Sequence, residues 1–337
     1  RSLTEIQRYP NAFEAWLNDH MGFRTVGIRL LNMIKYTCLN VSGNPRVIAG
    51  KERFLFLGGT YVSYHMATDP FTQEELIRWK EWLEHKQRWL ADQGSVFILV
   101  IVPSKAGMYP EKLPDWWRQL GKQKRWEQLR DYLIAQQSPL LWVDTRTALL
   151  EAKNRGEPVY FQRDSHWTQL GAYYGAMSIL SFLEPLCEFP GKQIPRLTFK
   201  EVNTRKHNPD LARLLGVENF WYEFDYRKPP QIAEFKLKRN YDNIPLRAPV
   251  RNLRRRPFAI GNGISSAPTA VIFHESFGEG LVNSLGIHFR WCVFSHYVNG
   301  FNGIDIRKIH PDFCLLIMVD WAFENILLRN DYTIGFK

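Results

Sequence analysis

Short apolar runs that alternate with helical segments constrain the fold of this chain more than any other feature. The runs are Val96–Val102, Leu140–Asp144, Thr269–Phe273 and Phe313–Val319. A continuous run of β-branched and aliphatic residues is typical of a strand that is buried on both faces. Strands that alternate with helices along a chain favour a parallel sheet with helices on its faces. The sequence therefore predicts an α/β fold with a parallel sheet flanked by helices.

Helix signals fill the segments between these strands. Thr72 and Glu75 form a capping-box signature for a helix that runs to about Gly94, where a glycine stop is expected. The spacing of apolar residues supports further elements. These are helices at 12–36 (interrupted near 18–24), 116–136, 145–153, 277–289, 304–309 and from Trp321, a strand at 290–297, and two short strands within 47–56.

Between residues 188 and 265 the periodicity weakens, while Pro, Lys and Arg become frequent. Residues 235–241 alternate as a strand does, and Arg254, Arg255 and Arg256 form a basic cluster. We interpret 188–265 as a β-rich basic insertion within one domain that spans 1–337. The cluster is a candidate site for an anionic substrate, and a solvated basic face is the alternative.

The charge balance bears on the partner. The chain has 44 Lys and Arg against 34 acidic residues, for a net charge of +10. Such a surface favours an anionic partner, which could be nucleic acid, a membrane face or an acidic polysaccharide. The four cysteines show no metal-binding spacing, and no apolar run approaches the 18 residues of a membrane span. The chain opens at Arg1 without Met, which suggests either that an upstream signal or anchor was removed or that the sequence was cut there.

The candidate chemistry lies in two loops. Asp164 and His166 stand two apart before a helix for which Thr168 is the predicted N-cap, so the carboxylate can reach the imidazole. Ser276 lies at a strand-to-helix turn, where α/β sheets place reactive groups. An acid, a histidine and a serine are the parts of a nucleophilic triad. Each has an ordinary alternative: an Asx turn, a surface imidazole and a helix cap.

The same blocks resemble a known family. They are 18–24, 50–56, Val102–Lys105, 109–114, Asp164–Thr168, Asp210–Ala212 and Phe273–Gly278. Together they are similar to the SGNH-hydrolase-like proteins of bacterial polysaccharide O-acetylation, typified by the alginate acetylation proteins AlgJ and AlgX. The blocks around His166 and Ser276 are the specific ones, and the likeness covers most of the chain.

The resemblance implies an SGNH-type sheet with a circularly permuted motif order, Asp then His then Ser. It implies that Ser276 is the acetyl-accepting nucleophile, His166 its base and Asp164 the orienting acid. Turnover is then expected to rise with pH through an apparent pKa of about 6.5, the pKa of a free histidine. Glu275 departs from the family, in which a smaller residue is common before the serine. The oxyanion donors of the family are not placed by the sequence, although Asn283 and Asn299 are candidates.

The family also implies a setting and a substrate. The expected function is O-acetyl transfer to a bacterial exopolysaccharide of the alginate type, in the periplasm. A membrane-bound O-acyltransferase would supply acetyl groups, an N-terminal segment would provide an inner-membrane anchor, and nucleic acid, metal and organic cofactor are not expected. Lys105, Tyr109 and Trp167 are candidates for substrate contact, with packing favoured for Trp167. Two alternatives remain open: an esterase with the same triad, and a catalytically silent polysaccharide-binding scaffold.

Overall fold

The computed structural model describes residues 24–187, 200–203, 209–220, 224–227, 240, 244–246, 255–297 and 304–323. Its strands are β1 (Val47–Ala49), β2 (Leu55–Leu57), β3 (Val96–Val102), β4 (Leu141–Asp144), β5 (Lys200–Asn203), β6 (Phe224–Arg227), β7 (Phe258–Ile260), β8 (Thr269–His274), β9 (Trp291–His296) and β10 (Phe313–Val319). Its α-helices are α1 (Arg24–Leu39), α2 (Thr60–Met66), α3 (Gln73–Asp92), α4 (Lys105–Met108), α5 (Arg125–Ala135), α6 (Arg146–Asn154), α7 (Gln169–Leu183), α8 (Asp210–Leu215), α9 (Gly278–Gly286) and α10 (Ile306–Ile309).

Six strands form the central sheet, in the order β4-β3-β10-β8-β9-β7. All neighbours are parallel except β7, which runs antiparallel to β9 at the edge. The predicted parallel α/β sheet is therefore confirmed. Every residue of β8 and β10 is buried, as continuous apolar runs require when helices cover both faces.

The last strand of the described residues, β10, occupies the middle of the sheet. It pairs with β3 on one side and with β8 on the other. Its core residues from Leu315 to Val319 are at most 2% exposed. The sheet thus consists of two parallel pairs of strands, β3–β4 and β8–β9, joined by β10, with β7 added beside β9.

The helix predictions hold where local signals are strong. Thr72 makes the predicted capping box with Glu75, and the buried stripe of α3 includes Trp79 and Leu83. Thr168 is the N-cap of α7, because its hydroxyl accepts the N–H of Gly171 at 3.0 Å. These caps satisfy free N–H groups of the first helical turn.

The predicted helix at 116–136 is wrong in its first half, because α5 begins only at Arg125. The N–H groups of Leu120 and Gly121 donate to the carbonyl of Met66 instead of to a helix of their own. A Cβ at Gly121 would lie 1.9 Å from the carbonyl oxygen of Ala67, so only glycine allows this approach. Tertiary contact here overrides the local apolar spacing.

Part of the basic segment 188–265 is described. It contains the antiparallel pair β5–β6, the short helix α8 and the edge strand β7. Single bridges join Asn240 to Ala259 and Leu246 to Ile304. The strand predicted at 235–241 lies outside the described residues except for Asn240, as does the helix predicted from Trp321 beyond residue 323 and the part of 12–36 before Arg24.

A second, smaller core lies beside the sheet. The hairpin β1–β2 packs against α8 through Val47, Leu55, Leu211 and Leu215, with Tyr36 from α1. This core fixes α8 next to the loop that carries Asp164 and His166, since the N–H of Ala212 donates to the carbonyl of Arg163 at 3.2 Å. No helix among the described residues is long and apolar enough to cross a membrane.

Candidate active site

The loop after β8 carries Ser276 to the carboxyl edge of the sheet. β8 ends at His274, and α9 begins at Gly278. A Cβ on Gly278 would lie 2.3 Å from the Cβ of His274, so glycine permits this tight turn. The turn leaves Ser276 exposed between two buried neighbours, Glu275 and Phe277. The positive end of the α9 dipole faces this position.

A second loop meets this turn from the opposite side. Residues Tyr160 and Trp167 form an isolated bridge, and the N–H of Phe161 donates to the carbonyl of His166 at 3.2 Å. The N–H of Leu55 in β2 donates to the carbonyl of Gln162 at 2.9 Å. The loop is therefore held at its base and on one flank by main-chain hydrogen bonds.

Asp164, His166 and Ser276 are brought together. Asp164 Oδ1 lies 2.7 Å from His166 Nδ1 and accepts the main-chain N–H of His166 at 2.9 Å. His166 Nε2 lies 2.7 Å from Ser276 Oγ, across 110 residues of sequence. A carboxylate only accepts, so Nδ1 donates to it and Nε2 is left to accept from the serine hydroxyl. This order of contacts is that of a nucleophilic triad.

The electrostatics of His166 differ from the sequence expectation. Burial lowers the pKa of the imidazole, but the hydrogen bond and charge of Asp164, with the charges of Asp210 and Glu275, outweigh it and raise the pKa above 6.5. We therefore expect turnover to rise with pH above the value of a free histidine. Surrounding carboxylates stabilise the imidazolium.

Glu275 is buried directly before Ser276, with 6% of its surface exposed. Its Oε1 accepts the N–H of Val319, at the end of β10, at 2.7 Å. Burial raises the pKa of this carboxyl to about 7, against the lowering effect of the Val319 hydrogen bond. Glu275 thus points into the sheet edge and ties the Ser276 turn to the central strand.

Trp167 packs rather than facing solvent. Its indole N–H donates to the carbonyl of Phe277 at 3.2 Å, and 4% of the residue is exposed. Cβ atoms on Gly175 or Gly280 would lie 2.8 Å from the indole, so two glycines, from α7 and α9, make room for the ring. The packing role favoured for Trp167 agrees with this position.

Lys105 and Tyr109 are also buried. The Lys105 ammonium donates to the carbonyl oxygens of Leu55, Gln162 and Asp164 at 2.6, 2.7 and 3.0 Å. These bonds occupy its three hydrogens, so in this arrangement Lys105 supports the loop instead of holding a substrate carboxylate. The Tyr109 hydroxyl accepts the N–H of Val159 at 3.3 Å, and 7% of the residue is exposed.

Two of the three clustered arginines fall within the described residues. Arg255 and Arg256 are exposed just before β7, and Arg254 lies outside the described part of the chain. In the β7–β9 register Phe258 lies opposite Phe294, so the residues before β7 lie at the carboxyl end of β9. β8 and β9 end side by side, with His274 opposite His296. Arg255 and Arg256 therefore lie at the same edge of the sheet as Ser276.

Sequence reasoning gave no role to Asp210, which the structure places beside Asp164. The Asp210 N–H donates to Asp164 Oδ2 at 2.8 Å, and its carboxylate receives both the N–H and the hydroxyl of Ser165. Asp164, His166 and Asp210 offer potential metal-ligand atoms within 4.8 Å of one another. These atoms already bond within the group and to Ser165, so a hydrogen-bond network accounts for their arrangement. The block 210–212 was the one available signal.

A cleft beside the Ser276 turn also escaped the sequence analysis. Its lining is largely aromatic: Phe56, Tyr61, Trp117, Phe277 and Trp321. Tyr61 and Trp321 meet edge to face with ring centroids 4.2 Å apart. The buried pair Ser104 and His65, with Oγ 3.0 Å from Nε2, adds polar atoms to the lining. Burial lowers the pKa of His65 well below its ordinary value, so this pair is uncharged.

Curated relatives share part of the chain. A probable alginate O-acetylase AlgJ of Azotobacter vinelandii is 22% identical over 234 residues, which cover 69% of this chain and 58% of the relative. The protein of the same name from Pseudomonas aeruginosa is 25% identical over 227 residues, covering 66% and 54%. The chain thus spans a little over half the length of these relatives.

Solved structures support the fold. The O-acetyltransferase domain of Pseudomonas putida AlgJ aligns with a TM-score of 0.53 and 16% identity, covering 83% of this chain and 92% of that one. Bacillus cereus PatB1 aligns with a TM-score of 0.56 and 15% identity, covering 82% and 96%. At these identities the likeness concerns the fold alone.

The sequence profile of a family described as "SGNH hydrolase-like domain, acetyltransferase AlgX" matches residues 47–242. The match includes Asp164, His166 and Asp210 and ends before Ser276, so Ser276 is linked to the other residues by geometry. Because the profile covers more than half of the 337 residues, this chain belongs to the SGNH-hydrolase-like family of the acetyltransferase AlgX.

Proposed function

We propose that this protein is an O-acetyltransferase that moves acetyl groups to hydroxyls of a bacterial exopolysaccharide through an acetyl-Ser276 intermediate. The observation that carries the proposal is the chain of contacts from Asp164 through His166 to the exposed hydroxyl of Ser276, with both hydrogen-bond distances at 2.7 Å. Family membership and the names of the relatives, which are alginate O-acetylases, suggest the reaction and the substrate class.

The first half-reaction forms the acyl enzyme. Ser276 Oγ attacks the acetyl carbonyl of the donor while His166 Nε2 takes the hydroxyl proton, and Asp164 stabilises the imidazolium. The carbonyl oxygen becomes an oxyanion close to the start of α9, whose dipole favours negative charge. The donor's leaving oxygen then departs with the proton from His166, leaving acetyl-Ser276 and a neutral imidazole.

The second half-reaction runs in the opposite sense. His166 removes the proton from a sugar hydroxyl, whose oxygen attacks the acetyl carbonyl of acetyl-Ser276. The bond to Ser276 Oγ breaks, Oγ recovers the proton, and the acetyl group stays on the sugar. If water takes the place of the sugar hydroxyl, the same steps release acetate, which is the esterase alternative.

Two features support a glycan acceptor. The cleft beside Ser276 is bordered by the half-buried rings of Tyr61 and Trp321, and aromatic rings can stack on a sugar; the uncharged pair Ser104 and His65 lies behind them. Exposed Arg255 and Arg256 lie at the same sheet edge, and guanidinium groups bind carboxylates in a bidentate manner. An anionic polymer of the alginate type fits both features.

The proposal includes a setting that follows from the family resemblance. We place the protein in the periplasm, held at the inner membrane by an N-terminal segment, with a membrane-bound O-acyltransferase as the source of acetyl groups. Localisation of the tagged full-length protein by fractionation tests the first part. Cross-linking to the acyltransferase in intact cells tests the second.

The experiment that tests the function uses Ser276→Ala and the wild type with a chromogenic acetyl ester and a deacetylated anionic glycan. The wild type is expected to release the chromophore and to show acetylated Ser276 in peptide mass spectra. It should also transfer acetyl groups to the glycan, which is seen as a mass gain of about 42 Da for each modified hydroxyl. Ser276→Ala should lose all three. Ser265→Ala, an exposed serine near the amino end of β8, is the matched control.

Each outcome separates the alternatives. Acetate release with no mass gain on any glycan would make the protein an esterase. Full ester turnover by Ser276→Ala would move the nucleophile elsewhere. A wild type that turns over no ester and resists a serine-reactive probe, yet binds glycan, would make it a silent scaffold.

A further inference from the structure

A second carboxylate lies against the Asp164–His166 pair. Asp210 is the first residue of α8, and its Oδ1 accepts the N–H of Ser165 at 2.8 Å. Its Oδ2 accepts the Ser165 hydroxyl at 2.5 Å and lies 3.8 Å from His166 Nδ1. The Asp210 carboxylate therefore accepts both the main-chain N–H and the hydroxyl of Ser165, the residue between Asp164 and His166.

The main chain of Asp210 completes the arrangement. Its N–H donates to Asp164 Oδ2 at 2.8 Å, while Asp164 Oδ1 serves His166. The two oxygens of Asp164 are thus held by partners on opposite sides. A carboxylate held in this way cannot rotate without breaking a bond, so Nδ1 of His166 meets a fixed acceptor.

The charge of Asp210 acts on the same ring. The carboxylates that face His166 are Asp164, Asp210 and Glu275, and all three raise the pKa of the imidazole. Asp210 is only half-buried, so its contribution is weaker than that of the directly bonded Asp164. It is nonetheless close enough, at 3.8 Å, to favour the imidazolium that forms when Ser276 loses its proton.

We propose that Asp210 is a positioning residue of the Asp164–His166–Ser276 arrangement, which clamps the loop through Ser165 and adds a second negative charge beside the imidazole. The inference rests on the proposed function for its effect on turnover. The segment 188–265, which we interpreted from the sequence as an insertion, would then contribute to the site, because it contains Asp210 and Asp210 bonds to Asp164.

The structure offers a matched control at the opposite edge of the sheet. Asp312 Oδ2 accepts both the N–H and the hydroxyl of Thr269, at 2.7 and 2.8 Å. This is the same kind of clamp on a hydroxyl residue, placed at the amino end of β8 and far along the strand from Ser276. Asp312→Asn therefore reports the cost of loosening such a clamp without touching the candidate active site.

The test compares wild type, Asp210→Asn, Asp210→Ala and Asp312→Asn with a chromogenic acetyl ester. Asp210→Asn keeps the shape of the side chain and the main-chain N–H to Asp164 but removes the charge. We expect kcat to fall at least about tenfold, with KM unchanged and the rise of turnover moved to lower pH. Asp210→Ala should lower kcat further. Adding Ser165→Ala to it should cause no additional loss of kcat, because the bond from the Ser165 hydroxyl to Asp210 is already absent.

An NMR titration of the His166 ring keeps the inference testable without turnover. Its pKa should fall in Asp210→Asn and stay at the wild-type value in Asp312→Asn. An unchanged His166 pKa together with unchanged kcat in Asp210→Asn overturns the inference. A shifted His166 pKa in a protein whose wild type has no acyl transfer supports the positioning of His166 by Asp210 and overturns the proposed function instead.

Discussion

The indole N–H of Trp167 donates to the main-chain carbonyl of Phe277 at 3.2 Å. Each of these residues directly follows one of the two groups that must meet, His166 and Ser276. The bond therefore fixes one loop relative to the other, and it is shielded because both residues are buried. A single side chain thus links the loops of His166 and Ser276 through the residues that follow them.

Trp167→Phe tests this link. Phenylalanine keeps an aromatic side chain but loses the indole N–H and leaves a cavity in the packing, so the free energy of unfolding should fall by at least about 1–2 kcal/mol. Ester turnover should fall by more than the loss of folded protein explains, because the loops can then move apart. Urea unfolding and kcat at saturating ester measure the two effects. Trp116→Phe, 56% exposed, is the control, and equal behaviour of the two variants would contradict the link.

The Asp164–His166 pair should act as one unit. Asp164→Asn is expected to lower kcat by about 10⁴-fold, the size known for the loss of a triad aspartate. His166→Ala should be at least as damaging, and the double variant hardly worse than either. Because the pKa of His166 is raised, the midpoint of the rise of wild-type turnover with pH should lie above 6.5.

The measurement is kcat of the wild type and the three variants over a series of pH values. Additive losses of kcat in the double variant would show that the two residues work independently.

Glu275 should make stability depend on pH in a direction unusual for a carboxyl group. Burial raises its pKa from 4.5 to about 7, so between these values the folded chain holds a proton that the unfolded chain has released. The free energy of unfolding should therefore fall as pH rises through this window, by up to about 3 kcal/mol.

Glu275→Gln removes that titration while keeping the shape of the side chain. Its unfolding free energy should be nearly constant over the same pH window. The rise of turnover should move slightly to lower pH, because the fraction of Glu275 that is ionised near pH 7 no longer raises the pKa of His166. Urea melts at a series of pH values, with exposed Glu279→Gln as the control, measure the first effect. A wild-type stability that increases from acid to neutral pH, with no difference in Glu275→Gln, would refute a buried neutral Glu275.

The arginine cluster should matter for polymer and not for small esters. Replacing Arg254, Arg255 and Arg256 by Glu should weaken binding to an anionic glycan and flatten its salt dependence, because charges at a surface are screened over about 8 Å at physiological ionic strength. Chromogenic ester turnover should be unchanged. Glycan binding at several salt concentrations, with a neutral glycan as the control, is the measurement. Equal binding of the anionic glycan by both proteins would leave the cluster as a solvated face.

The parts of this molecule that were predictable from sequence depend on local chemistry. β10 spans the predicted run Phe313–Val319, because uninterrupted apolar residues must be buried on both faces. Thr72 and Thr168 cap the predicted helices, because a hydroxyl before a helix serves its first N–H groups. The parallel sheet follows from the alternation of such elements.

What escaped prediction depends on partners far along the chain. Nothing local marks β10 as the central strand, since pairing order is a property of the whole sheet. Residues 116–124 have helical spacing, but the N–H groups of Leu120 and Gly121 donate to the carbonyl of Met66. Asp210 has the local character of an ordinary acid at a helix start, and only the folded chain shows that it meets Ser165 and Asp164.

The position of β10 has a consequence for the order in which the site can assemble. β3 and β4 precede the loop with Asp164 and His166 in the chain, and β8 precedes Ser276, but the strand that joins these two half-sheets follows both. Until Val319 has emerged, the N–H that donates to Glu275 Oε1 is also missing. A nascent chain that ends before β10 therefore holds His166 and Ser276 on two parts of an unfinished sheet, and their contact depends on the strand that follows.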